Sequence, residues 1–178
     1  MPRRVLDALY LGSAGLAALS LLGIFLVMMA QVFLRQVNIQ LPGADDLTAY
    51  LCVATTFFAL AYTFKRGELI RVGLFIDRFG PAKRRWVELA VLTLAAVLVA
   101  YIVRWTWSDA MFSLEIEEVA QGSVPFLLWI PKLAIPGGAG ILLIAIADEF
   151  VIVWRGSRPS YVLAAEDRAA RGDFSAEA

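Results

Sequence analysis

Asp148 and Glu149 stand side by side in "AIPGGAGILLIAIADEFVIVW", a run that is otherwise apolar. Adjacent carboxylates in such a setting either relay protons or pair with a basic group. A relay needs a second buried acid or a histidine; no further acid stands deep within an apolar run, and the chain has no histidine at all. Pairing is the favoured reading, with Lys65, Arg66 or a basic residue of a partner subunit. Two more cations flank apolar runs. Arg104 sits beside Trp105 and Trp107, where an arginine snorkels to the interface. Arg35, with Gln31, ends the first apolar run, where a cation suits a helix C-terminus.

Without histidine, and with Cys52 as the only cysteine, the chain lacks the residues for His-ligated haem, most zinc sites, a Cys–His dyad or a Ser–His–Asp triad. Phosphate loops and nucleophile–base sets are absent as well. No enzyme activity and no cofactor are expected. Cys52 falls in an apolar stretch, where a small buried hydrophobe is its expected role. Sixteen basic and sixteen acidic residues cancel, so net charge argues against a nucleic-acid partner.

The elements that position these residues are set by hydropathy. Of 178 residues 60% are hydrophobic and 18% charged, a balance shifted from soluble domains toward lipid. A bilayer core about 30 Å thick needs about 20 mainly apolar residues per helix. Four stretches qualify: about 8–34, 47–64, 86–107 and 133–154. The first is long enough to tilt or project beyond the membrane. Its length, and the lack of a small-residue cleavage site after it, read as a retained span rather than a signal peptide. Pro42-Gly43 turns the chain before the second span, and Asp45 and Asp46 suit that helix's first turn. Pro131 and Pro136 announce a short helical or bent entry to the last span, with a kink expected at Pro136. Gly12-Ser13-Ala14-Gly15 and Gly137-Gly138-Ala139-Gly140 permit close helix packing.

Charge sets the direction. With the N-terminus cytoplasmic, thirteen of the sixteen basic residues fall inside, and only Arg35, Arg104 and Lys132 outside. The outer connections are acidic, with Asp45, Asp46, Asp109, Glu115, Glu117 and Glu118. Between the second and third spans, "TFKRGELIRVGLFIDRFGPAKRRW" sets seven basic residues against Glu68 and Asp77. Leu69, Val72, Ile76 and Phe79 share one helical face there, opposite Glu68, Arg71 and Arg78. This pattern predicts an amphipathic helix over about 68–79 lying in the cytoplasmic interface. Alternation of Ile70, Val72, Leu74 and Ile76 leaves a short strand as the other reading, disfavoured because strand edges fare badly at a lipid surface. Arg71, Arg78, Lys83, Arg84, Arg85 and Trp86 are the expected interfacial anchors. The fold class is thus an all-α integral membrane protein of four transmembrane helices plus this interfacial helix. Residues 1–156 form the membrane domain. Residues 157–178 form a loose polar cytoplasmic tail with one short helix around Val162–Arg171.

From Gln31 to Ile144 the chain resembles the small membrane (DctQ-type) subunit of tripartite ATP-independent periplasmic, or TRAP, transporters. The stretches that carry the likeness are "DDLTAYLCVATTFFALAYTFKRGELIRVGLFIDRF", "PAKRRW" and "SVPFLLWIPKLAIPGGAGILL". The matching positions are Asp46, Leu47, Tyr50, Arg66, Gly67, Ile70, Val72, Trp129, Pro131, Ala134, Ile135, Pro136 and Gly138. Many relatives place His and Asp around the Ile-x-Val step, where this chain has Leu69 and Gly73. Roles for those polar side chains do not carry over.

The resemblance implies a bacterial inner-membrane protein that serves as a scaffold. Its partners would be a large TRAP membrane subunit and a periplasmic substrate-binding protein, alongside membrane lipids. The implied process is sodium-driven uptake of organic acids such as C4-dicarboxylates. The binding protein would meet the outer acidic loop, Glu115 to Glu118, whose alternative is a plain solvated loop. Arg35, Asp46, Tyr50, Arg66, Trp129, Pro131, Pro136, Gly138, Asp148 and Glu149 become candidates for subunit contact or helix packing. Two other classes compete. A respiratory-enzyme anchor would lack histidines for its haem, and a self-sufficient small exporter would need a central acid, whereas Asp148 and Glu149 lie off-centre. Reporters fused after Arg85 and after Trp154 are expected to read cytoplasmic, and one near Glu117 periplasmic. A periplasmic reading after Arg85 would overturn the four-span layout.

Overall fold

Inside a bilayer every main-chain polar group must find its partner within the chain, which favours continuous helices. The computed structural model describes residues 2–67, 81–120, 124–156, 159–163 and 170. Its helices are α1 (Pro2–Gln36), α2 (Ala44–Arg66), α3 (Pro81–Glu115), α4 (Trp129–Lys132) and α5 (Ala134–Trp154). Four segments are long and apolar enough to cross a membrane: Val5–Gln36, Ala44–Arg66, Arg85–Glu115 and Trp129–Trp154. The chain is an all-α, four-span protein. The interfacial helix expected over 68–79, with Arg71 and Arg78, lies outside the described residues.

Hydroxyl groups within the spans satisfy themselves locally. Thr48, Thr55, Thr63, Thr93 and Thr106 each donate to the carbonyl four residues back, at 2.7–3.1 Å. This back-bonding keeps a polar side chain compatible with lipid. Helix ends follow local chemistry too. Gly43, at φ 76°, leads into α2, whose first turn carries Asp45 and Asp46 against the positive end of the helix dipole. Gly67, at φ 66°, closes α2 with its N–H on the Phe64 carbonyl, 3.1 Å away.

The last span is broken where Pro136 dictates. Pro136 has no N–H to offer the Lys132 carbonyl, and its ring crowds that oxygen. The break falls at Leu133, between α4 and α5, rather than as a kink at Pro136 itself. Pro136 lies in the first turn of α5, where a missing N–H costs nothing.

The long helices lie side by side in the order α1, α2, α5, α3, and α1 and α3 do not pack along each other. A row arises because each outer helix has a single packing stripe. On α1 this stripe runs through Tyr10, Ser13 and Ala17, three to four residues apart, while Leu11, Leu19, Phe25, Leu26 and Phe33 face outward. Ser13 donates to the Phe58 carbonyl of α2. At the centre, α5 approaches α2 so closely that a Cβ on Gly138 would lie 2.6 Å from the Phe57 carbonyl oxygen. Cys52 is exposed on α2, not buried as its apolar neighbourhood suggested. It falls on the part of α2 that neither α1 nor α5 covers.

Aromatic residues mark the bilayer edges. Trp86 and Trp105 on α3 are nineteen residues apart, about 29 Å at 1.5 Å per residue, close to the thickness of the hydrocarbon core. Both are exposed, with Trp107 and Tyr101 beside the second, as an aromatic belt requires. From Trp107 to Glu115 α3 continues about 12 Å beyond that belt.

Gly138→Ala should therefore lower stability by about 1–3 kcal/mol, since the methyl group meets backbone rather than a yielding side chain. Gly12→Ala, where a Cβ meets nothing within 4 Å, should be neutral or slightly stabilising. Thermal unfolding of the two variants in detergent checks the contrast, and equal behaviour would contradict the close α2–α5 approach.

Candidate functional site

Ionic groups gather at the two ends of the last span. At the Trp154 end, Lys65 of α2 reaches Asp148 and Glu149 of α5. Its Nζ donates to Asp148 Oδ2, and to Glu149 Oε1 at 3.0 Å. Lys65 is 16% exposed and Glu149 0%. Glu149 also accepts the Ser160 main-chain N–H at Oε2, 3.0 Å away, and the Ser160 hydroxyl at Oε1. The ammonium lies 5.4 Å from the centre of the Tyr10 ring, so α1 closes the third side. Removing one partner from a buried pair of this kind costs about 3–5 kcal/mol, because the other charge stays behind uncompensated.

The second cluster lies at the opposite end. Lys132, the last residue of α4, donates to Asp109 at 3.1 Å, to Glu118 at 2.9 Å and to Ser113 Oγ at 2.6 Å. The Ser113 hydroxyl in turn donates to Glu118 Oε2. Beside it a single antiparallel bridge, Val119 with Leu127, ties the connection after α3 to the one entering α4. Its hydrogen bonds, Ala120 N–H to Phe126 and Leu128 N–H to Glu118, are both 2.9 Å. Tyr50 of α2 meets Phe126 edge to face at 5.5 Å. The projecting end of α3, the following connection and α4 thus form one body.

The remaining candidates are more scattered. Arg35 lines an open cleft of about 430 Å³ with Gln31, Asn38, Gln40 and Asp45; Gln31 Nε2 donates to Asp45 there at 3.2 Å. Asp46 stands in the first turn of α2, half-buried. Arg66 lies over the Tyr62 ring and donates to its hydroxyl at 3.1 Å. Trp129 and Pro131 form α4, half-buried, while Pro136 and Gly138 are buried in α5. Arg85 donates to the Trp154 carbonyl and so caps α5, and Trp86 beside it is exposed. Lys83 and Arg84 lie on the first turn of α3, with side chains outside the described set.

The Lys132 cluster escaped sequence reasoning, which left Lys132 a lone outer cation and Glu118 part of an acidic run. The usable signal was Lys132 between two prolines at the entry of a span: a cation there needs an anion nearby. Among the described residues no three His, Cys, Asp or Glu side chains converge as metal ligands. The ammonium groups bridge the acids they meet.

This fold defines a small, multi-pass, helical membrane protein. Its residues 24–156 match the family described as tripartite ATP-independent periplasmic transporters, DctQ component. The chain belongs to that family, which makes it a small permease component of a TRAP transporter, working with a large membrane subunit and a binding protein. Comparison with curated proteins gives no match.

Hydrogen bonds from Ser113 first, and from Lys132 second, hold the Glu118 carboxyl below its ordinary value of 4.5. A carboxylate depressed in the folded state stabilises it fully above the ordinary value. That contribution is lost as pH falls through the lower, folded value. The connection between α3 and α4 should therefore stay tied at pH 4.5 and loosen only in stronger acid. Carboxyl-labelled glutamate NMR in micelles should show the Glu118 signal titrating below 4.5. Ser113→Ala and Lys132→Met should each move it up; a Glu118 that titrates at or above 4.5 would refute the linkage.

Proposed function

We propose that this chain is the static support of its transporter. In this reading it holds the large membrane subunit in place while that subunit moves an organic acid with a sodium gradient, the acid being delivered by a periplasmic binding protein. The carrying observation is the row of helices itself. Its span-end charges are joined to one another in fixed pairs across α2–α5 and α3–α4. Its outer helices α1 and α3 present broad apolar faces. A support needs rigidity within and contact area without; a transporting site would need groups free to bind and release.

The charge asymmetry of the connections places both termini on the cytoplasmic side of the inner membrane in this proposal. The Trp154 end is then cytoplasmic and the Trp129 end periplasmic. Arg71, Arg78, Lys83, Arg84, Arg85 and Trp86 anchor the cytoplasmic edge to lipid. Tyr50, Pro136, Gly138, Asp148 and Glu149 act in packing within the chain. Arg35, Asp46, Trp129 and Pro131 serve subunit contact in this reading, and Arg66, which already engages Tyr62, serves packing or subunit contact. A binding protein would meet the periplasmic knob at Glu115 and Glu117, with exposed Ile116 and Ile130 beside them. Glu118 is already engaged by Lys132.

Reconstituted alone, the chain should show no sodium-driven uptake of C4-dicarboxylates or other organic acids. It should become necessary once the large subunit and the binding protein are added. Uptake by the isolated chain would sink the support reading and favour a self-sufficient exporter or importer.

A further inference from the structure

After α5 the chain reverses. Gly156, at φ 80°, donates its N–H to the Val153 carbonyl at 3.0 Å, a left-handed helix stop. Pro159 follows, buried. Residues 160–163 then form one helical turn whose first residue bonds Glu149, five positions before Trp154. Five residues of helix are about 7.5 Å, so the chain returns toward the membrane to that depth. Tyr161 is 2% exposed and meets the Phe64 ring at 5.9 Å. Val162 packs on the same core. Its neighbour Leu163 is exposed. Gly67 is required twice here: by its left-handed backbone, and because a Cβ on it would collide with the Tyr161 carbonyl oxygen.

We propose that Pro159–Leu163 is a re-entrant strap, latched by Glu149, that seals the Lys65–Asp148–Glu149 cluster and fixes the spacing of α2 and α5 at that end. The charge count explains why a strap is needed. Among the described residues one ammonium faces two carboxylates; Asp148 is 24% exposed, but Glu149 is fully enclosed and must find its remaining donors within the protein. The Ser160 N–H and hydroxyl supply the missing donors to Glu149. A carboxylate with such donors is well stabilised, and without them its burial is costly. Strap and cluster therefore open together. Opening wets the cluster and loosens α2 from α5, so the state of the C-terminal segment is transmitted to the helix row.

The strap stands on geometry alone; its cytoplasmic placement rests on the orientation proposed above. The test uses the full chain in membranes, in a Cys52→Ala background, with Val162→Cys or Leu163→Cys as reporters. A membrane-impermeant maleimide is applied to inside-out and right-side-out vesicles. The Val162→Cys thiol should react about tenfold more slowly than the Leu163→Cys thiol, as a site that opens only by local unfolding does. Adding Glu149→Gln or Tyr161→Ala should bring the two rates together. Ser160→Ala, which removes one hydroxyl and leaves the main-chain donor, should do so in part. Recovery of monodisperse protein separates strap release from misfolding; if Glu149→Gln is not recovered, Tyr161→Ala and Ser160→Ala carry the comparison. Equal rates at 162 and 163 in the unaltered strap, or protection at 162 that survives every recovered variant, would overturn the strap. Reaction of the Leu163→Cys thiol only in right-side-out vesicles would instead overturn the orientation, with the ratio of rates still deciding the strap.

Discussion

Burial of charge without water is the constraint on which this structure turns. Glu149 is fully enclosed, and Lys65, Ser160 and the packing around them exist in arrangements that keep its charge tolerable. A lone ionised carboxylate in such a place would carry a penalty of several kcal/mol. The sequence must therefore bring an ammonium from α2 and donors from beyond α5 to one point. That demand fixes the register of α2 against α5, and the register in turn sets Gly138 against Phe57 at the middle of the same pair.

The opposite end repeats the logic in wetter surroundings. Lys132, at the entry of the last span beside the interruption at Leu133, meets Asp109 and Glu118. The stretch from α4 through α5 is pinned at both ends, to α3 above and to α2 below. It is the axis of the row, with α1 attached mainly through α2.

Much of this was legible in the sequence, and for a physical reason. Apolar runs of span length, such as Leu89 to Val103, have few other uses, and Pro131 with Pro136 signals an interrupted entry whatever surrounds it. Asp148 and Glu149 were recognisable as needing a cation because carboxylates in an apolar run always do. What stayed hidden depends on relations between elements. Hydropathy marks Cys52 as membrane-embedded but not which way it faces, since lipid and protein interior are equally apolar. The order α1, α2, α5, α3 is set by which small-residue stripes meet, and Gly12-Ser13-Ala14-Gly15 looks as capable as Gly137-Gly138-Ala139-Gly140. Tyr161 in a polar tail carries no periodic signal at all. Its place is revealed by Phe64 and Gly67, more than ninety residues earlier in the chain.

A row, unlike a closed bundle, has two unshared flanks, and this is the structural sense in which the protein is incomplete alone. The apolar side chains on α1 and α3 suit lipid or a packed helix equally well. Lipid gives no hydrophobic drive for helices to associate, so any protein partner must win by close fit. Close fit requires a surface that does not shift. Fixed ion pairs at both ends of α5 and a glycine contact at the centre each tie one helix to the next. In the proposed support role, rigidity follows from polar groups whose partners already lie within the chain.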